Sequence, residues 1–315
     1  MSSKFLVTGG AGFIGSNIAE HLVKAGHFVR VLDNFSSGKE ENLAFTKGLG
    51  KDKFELIRGD IRDKDIGDQA CHGMEYVLHQ AALRSVPKSM KEPESYNDVN
   101  INGILFMLQA ASRQKVKRFV FASSSSVYGD TDRFPESEDQ LPLLISPYAL
   151  SKLTGEYYCR IFSEHFGLET VALRYFNVFG PKQALDDEYA VVIPKFIHCI
   201  LNDEPPPIFG TGKQSRDFTY IENVISANIL AAIAPGIKHE VLNVAVGKDQ
   251  TVLELVSTLN KIIGKNIQPK FLPVRTGDVF RTSANVSKIQ EKIGYKPLVN
   301  FAEGLKKTVE YWKTK

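Results

Sequence analysis

Thr8-Gly9-Gly10-Ala11-Gly12-Phe13-Ile14-Gly15 is the stretch that decides the fold. It follows a short apolar run, Lys4 to Thr8, which reads as a buried strand. It opens a segment in which Phe13, Ile14, Ile18, Leu22 and Val23 recur at helical spacing. Gly9, Gly12 and Gly15 therefore sit in a turn between a strand and a helix, the context in which such spacing suits a pyrophosphate. Glycine lets the backbone turn tightly and approach the ligand, which then rests on the helix N-terminus.

Outward from that turn, strands and helices alternate. Phe28 to Leu32 is a second strand, ending in Asp33. A carboxylate about twenty residues past the glycines can accept both ribose hydroxyls and repels a 2′-phosphate, so Asp33 favours NAD over NADP. Phe54 to Ile57 is a third strand, running into Arg58-Gly59-Asp60, where Asp60 is placed to meet an adenine. Tyr76 to Leu78 is a fourth, followed by His79-Gln80-Ala81-Ala82. A helix from about Val99 to Arg113 leads to a fifth strand, Arg118 to Ala122, and Thr170 to Leu173 is a sixth. This alternation predicts an α/β protein with a Rossmann-type doubly wound parallel sheet. After Tyr175 the pattern changes. Gly180-Pro181-Lys182 interrupts it, and Pro205-Pro206-Pro207 marks a rigid loop. We expect residues 1–175 with about 217–246 to form the dinucleotide-binding domain. About 176–216 with 247–315 would form a smaller C-terminal α/β substrate lobe.

Tyr148 and Lys152 stand one helical turn apart in Ser146-Pro147-Tyr148-Ala149-Leu150-Ser151-Lys152, on a helix reaching about His165. An ammonium beside a phenol favours the phenolate and is expected to lower the tyrosine pKa. The run Ser123-Ser124-Ser125-Ser126 ends the fifth strand. Tyr148 is the candidate acid/base for a substrate hydroxyl, Lys152 its cation and a partner of the nicotinamide ribose. Ser124 or Ser125 would orient the same hydroxyl, and the sequence does not separate them.

The chain carries 39 Lys and Arg against 36 Asp and Glu, a formal charge of +3, too small for binding nucleic acid through a basic surface. Cys71, Cys159 and Cys199 are isolated and lack metal spacing, so we expect packing roles, a reducing compartment and no metal. The N-terminus lacks a signal-peptide core, and no apolar run reaches the roughly 18 residues of a membrane span. The expectation is a soluble cytoplasmic protein with no membrane partner.

With these residues in view, the chain resembles the extended short-chain dehydrogenase/reductase family. It is most similar to the UDP-hexose 4-epimerases, and within them to the UDP-N-acetylglucosamine 4-epimerase branch. The resemblance covers essentially the whole chain. Besides the glycine turn it rests on Asp33-Asn34-Phe35-Ser36-Ser37-Gly38, His79-Gln80-Ala81-Ala82, Ser124-Ser125-Ser126-Val127-Tyr128-Gly129 and Pro147-Tyr148-Ala149-Leu150-Ser151-Lys152. Leu173-Arg174-Tyr175-Phe176-Asn177-Val178-Phe179-Gly180 and Ser215-Arg216-Asp217-Phe218 complete the set. It implies an NAD-dependent isomerase in which Tyr148 removes the O4 proton as C4 gives up hydride. The 4-keto sugar turns while UDP stays anchored, and the hydride returns to the opposite face.

The resemblance also implies who holds what. NAD would contact Gly9, Gly12, Phe13, Ile14, Gly15, Asp33, Asn34, Ser37, Gly38, Asp60, Ile61, Gln80, Ala81, Ala82, Tyr148, Lys152 and Tyr175. The UDP-sugar would contact Arg84, Ser85, Ser124, Ser125, Tyr148, Asn177, Val191, Arg216, Arg275, Asp278 and Thr282. Arginine forks suit a pyrophosphate and Asp278 a ribose. Many glucose-specific relatives carry a bulky tyrosine at the position of Thr282. A threonine leaves room for a 2-acetamido group, which implies UDP-GlcNAc and UDP-GalNAc as substrates, with UDP-glucose and UDP-galactose accepted too. A 4,6-dehydratase would need an Asp-Glu pair where Ser125 and Ser126 stand. A UDP-glucuronate epimerase or decarboxylase stays open through Arg84. A non-enzymatic NAD sensor would be expected to lack Tyr148 or Lys152. The resemblance further implies a homodimer through the helices near Val99–Arg113 and Pro147–His165, with Ile104, Leu105 and Leu108 as candidate contacts or as core.

Overall fold

The structure is a computed structural model that describes residues 2–185, 192–274 and 279–315. Its centre is a seven-stranded sheet. In spatial order the strands are His239–Val244, Glu169–Tyr175, Arg118–Ser124, Tyr76–His79, Lys4–Thr8, Phe28–Asp33 and Phe54–Arg58. Lys4–Thr8 pairs in parallel with Phe28–Asp33 on one side and with Tyr76–His79 on the other. The strand order therefore reverses at the C-terminal end of Lys4–Thr8, where ligands bind in doubly wound sheets. The fold class read from the sequence is the one found.

The inner strands are apolar because both faces of the sheet are covered there. Phe5, Leu6, Val7, Val77, Leu78, Phe119 and Val120 are all essentially inaccessible. The helix Phe13–Lys24 starts straight out of the glycine turn, and Gly12 caps it in extended geometry. Ile104 and Leu108, candidate dimer contacts in the sequence, are fully buried in the core beside Phe121 and Cys159, and Leu105 packs against it half-buried. The exposed apolar stripe lies elsewhere, on the helix Pro147–Phe166, where Leu150, Tyr157 and Ile161 share a face.

The chain divides into two compact units. The first comprises Met1–Val127, Ser146–Arg174 and Ile225–Leu242, and the second Tyr128–Ile145, Tyr175–Val224 and Asn243–Lys315. Three segments, Tyr128–Ile145, 217–224 and 243–246, and Tyr175 differ from the expected boundaries. Tyr128–Ile145 joins the second unit because Glu136 exchanges backbone hydrogen bonds with Ser283 and Asn285, and Glu138 accepts from the Asn243 amide. Residues 217–224 also join it, because Asp217 is tied to Val246 and Gly247 and Asn223 to Leu298 and Val299. Partners so distant in sequence leave no local signature. All three cysteines are buried free thiols. Among the described residues no cluster suits a metal, and no helix is long and apolar enough to cross a membrane.

Candidate active site

The glycine turn is built by exclusion. Gly9 has φ +65°, and a Cβ there would stand 2.8 Å from the Ala81 backbone. A Cβ on Gly15 would stand 2.2 Å from the Gly9 carbonyl oxygen. These two glycines let the turn fold back against the helix start and the end of the neighbouring strand. Gly12 is different, since a Cβ there meets only Gly9 O, at 3.2 Å. Phe13 and Ile14, half-buried, begin the helix.

Asp33 closes the other side. Its Oδ2 accepts from the Ala11 amide at 2.8 Å and its Oδ1 from Phe35, so the carboxylate is fixed by the turn itself. Gly38 passes so close that a Cβ would lie 2.9 Å from Asp33 Oδ1. Asn34 and Ser37 are exposed beside it. Asn34 donates to Asp60, whose carboxyl is held far below the usual carboxylate range, chiefly by the Arg62 side chain. Ile61 is core, packed where Gly103 leaves space. Gln80 donates to Asn228, and the Ala81 amide to Thr8 Oγ1. Ala82 and Ser85 are half-buried, Arg84 exposed. A backbone cradle that a Cβ would fill, ending at a fixed carboxylate, fits a dinucleotide.

The reacting groups lie on Pro147–Phe166, a helix started by Pro147 and capped by Ser146, whose hydroxyl accepts from the Ala149 amide. Of the two serines, the Ser124 hydroxyl is the one that acts on the Tyr148 phenol, lowering its pKa, and it also accepts from the Ser126 amide at 3.1 Å. Ser125 begins a short 3-10 turn, Ser125–Tyr128. Lys152, 4 % exposed, donates to the Ala122 carbonyl at 2.7 Å, with Nζ 5.8 Å from the centre of the Tyr148 ring.

The Tyr148 phenol is pushed up by burial, against the Ser124 hydroxyl and the Arg84 charge. Burial in turn pushes the Lys152 ammonium down to about 7. Sequence spacing places the two side chains on one face, and the bond to Ala122 uses one of the three donors of the ammonium. Sequence reasoning also missed the scaffold. Asn100 sits in a π-helical turn, Asp98–Asn102, and clamps the Leu83 backbone through both its amide groups. Its Nδ2 also donates to Ser151 Oγ. The Tyr96 hydroxyl accepts from the Ser85 amide, and its ring meets Tyr148 edge-on. Nothing local in the sequence marks these.

In the second unit, Asn177 has φ +32°, and its Nδ2 donates to Thr282 Oγ1 at 2.9 Å and to the Asp217 carbonyl. Thr282 is buried and pairs through its backbone with Ser215 and Asp217. The Arg216 guanidinium donates to the carbonyls of Val279 and Phe280, so here it braces the backbone on which Thr282 sits. Tyr175 is buried in the same unit. Val191, Arg275 and Asp278 lie outside the described residues.

A family model described as "NAD dependent epimerase/dehydratase family" matches residues 5–245. The chain belongs to that family. NAD is accordingly its cofactor. As a family member it is similar along its full length to solved nucleotide-sugar enzymes. One is a UDP-N-acetylglucosamine 4-epimerase from Methanobrevibacter ruminantium M1 in complex with UDP-N-acetylmuramic acid. It is 41 % identical with TM-score 0.94, covering 100 % of this chain and 99 % of that one. A second is a UDP-glucose 4-epimerase with UDP-glucose from Thermotoga maritima, 38 % identical, TM-score 0.92, covering 99 % of each chain. A third is a UDP-glucuronic acid 4-epimerase from Bacillus cereus in complex with UDP-glucuronic acid and NAD, 34 % identical, TM-score 0.90, again covering 99 % of each. These relatives are isomerases acting on UDP-sugars and differ in the sugar.

Proposed function

We propose that this enzyme interconverts UDP-GlcNAc and UDP-GalNAc by NAD-dependent 4-epimerisation, with UDP-glucose and UDP-galactose as further substrates. The observation that carries the choice of sugar is Thr282. Its short side chain is buried and its hydroxyl is engaged by Asn177. The position that a bulky tyrosine fills in many glucose-specific relatives thus carries a short side chain, which supports room for a 2-acetamido group. The full-length similarity to a UDP-N-acetylglucosamine 4-epimerase supports the same reading.

When bound, NAD would supply the hydride acceptor and donor for C4 of the sugar. The chain's own residues manage the proton and the grip. Tyr148 takes the O4 proton in one half-reaction and gives it back in the other, within the hydrogen-bond reach such transfer needs. Ser124, whose hydroxyl lowers the pKa of the same phenol, would orient the sugar hydroxyl. Arg84 opposes the burial that would keep the phenol protonated. Asn177, Arg216, Arg275 and Asp278 would hold the nucleotide while the ketone turns. We further propose a homodimer through the stripe Leu150, Tyr157 and Ile161, which sedimentation at micromolar concentration checks by giving twice the chain mass.

The exposed cation of Arg84, close enough to bias Tyr148, favours UDP-glucuronate as the second reading. Proton NMR of the anomeric region separates the readings. UDP-GlcNAc should yield UDP-GalNAc without added reductant. Conversion of UDP-glucuronate alone, with or without loss of carbon dioxide, would replace the proposal.

A further inference from the structure

Three consecutive strand residues meet three helix residues spaced one turn apart. The Ser124 hydroxyl acts on the Tyr148 phenol, the Ala122 carbonyl accepts from Lys152 Nζ, and Ser123 Oγ donates to Glu156 Oε1 at 2.5 Å. Positions 148, 152 and 156 lie along one slowly turning stripe of the helix. The first two carry the proposed chemistry. The third has no role in it so far.

Glu156 is held with unusual care. Arg174, from the adjacent strand Glu169–Tyr175, forks onto it, Nε to Oε1 at 2.9 Å and Nη2 to Oε2 at 2.8 Å. Both side chains are only 5 % exposed. A buried ion pair is weak evidence for stability, because apolar residues of similar volume usually do as well. Its position beside two reacting groups points to a chemical reason.

That reason is the condition of Lys152. Its ammonium is disfavoured by burial, and Glu156 is the charge that opposes the loss. The other titratable groups facing it do not help. Tyr148 on its own helix is itself pushed toward the neutral phenol by burial. His79, from the strand Tyr76–His79, is buried and pushed down to about 3 by burial and then by the Lys152 charge, so it is neutral. We propose that Glu156, oriented by Arg174 and Ser123, is a positioning residue whose negative charge keeps Lys152 an ammonium beside Tyr148. The inference rests on reading Tyr148 and Lys152 as the reacting pair.

Glu156→Gln keeps the shape and removes the charge. The alkaline limb of kcat against pH should move down by about one unit or more, the size a nearby opposite charge supplies. In protein labelled at lysine Cε, the Lys152 resonance, assigned by its absence in Lys152→Arg, should titrate at a correspondingly lower pH. UDP affinity should stay at the parent value. Because an unpaired Arg174 is itself liable to unfold the chain, Glu156→Gln with Arg174→Gln is the second variant; it removes a cation as well, so the Lys152 titration should move in the same direction but by less than in the single variant. Lys152 titrating as in the parent in the folded double variant would overturn the proposal, as would superimposable pH profiles for the single one. The lysine titration does not depend on turnover, so failure of every sugar assay would sink the substrate reading and leave this test standing.

Discussion

Two alanine substitutions in the glycine turn should fail in opposite ways. At Gly15 a Cβ would stand 2.2 Å from Gly9 O, 2.8 Å from Gly9 C and 2.9 Å from Gly10 Cα. All three are backbone atoms, so no rotamer relieves the overlap, and the turn has to open. Overpacking costs about 1–3 kcal/mol, and a backbone clash belongs at the upper end. For a large domain that is a fall in Tm of roughly 6–12 °C. At Gly12 the backbone is ordinary, φ −76° and ψ 178°, and the added Cβ meets one atom at 3.2 Å. Gly12→Ala should leave the cofactor-free protein within about 0.5 kcal/mol of the parent. Its methyl nonetheless stands at the helix start where the pyrophosphate is to rest, so NAD affinity should fall at least tenfold, about 1.4 kcal/mol. Calorimetric melting of cofactor-stripped protein, followed by NAD titration, reads both quantities. The reasoning fails if Gly12→Ala melts as low as Gly15→Ala, or if it binds NAD like the parent.

Tyr148→Phe should nearly abolish turnover while NAD and UDP titrations stay close to the parent. Normal turnover would remove the phenol from the reaction. Thr282→Tyr should cost more activity on UDP-GlcNAc than on UDP-glucose, and equal losses measured by NMR would mean the pocket is set elsewhere. His79 makes a pH prediction. Its folded pKa is about 3 against 6.5 unfolded, so the unfolded chain takes up a proton first as pH falls. Stability is therefore lost as pH falls from 6.5 toward 3. Urea unfolding should show a shallower loss across that window in His79→Gln, and an unchanged slope would refute the burial argument.

Much of the site was legible because its signals are local. The turn needs glycine at Gly9 for its positive φ, and at Gly15 because no side chain fits. Tyr148 and Lys152 were legible because four residues make one helical turn. Glu156 extends the same spacing and could have been found. Arg174, which shows what Glu156 is for, lies 18 residues further on in another strand. The choice between Ser124 and Ser125 was not legible, because two adjacent hydroxyls differ only in which way the backbone points them at the end of the strand.

The sequence by itself determined the parallel doubly wound sheet, the cofactor turn and the face that carries Tyr148 and Lys152. Each follows from periodicity and steric demand within a few residues. Only the tertiary structure decided the charge balance around them. Lys152 finds a carbonyl on the strand Arg118–Ser124, and Tyr148 is biased by Arg84 from another segment. Glu136 reaches across 147 residues to carry Tyr128–Ile145 into the second unit. Burial and partner choice belong to the packed chain, because desolvation and hydrogen bonding depend on what distant segments bring to the same place.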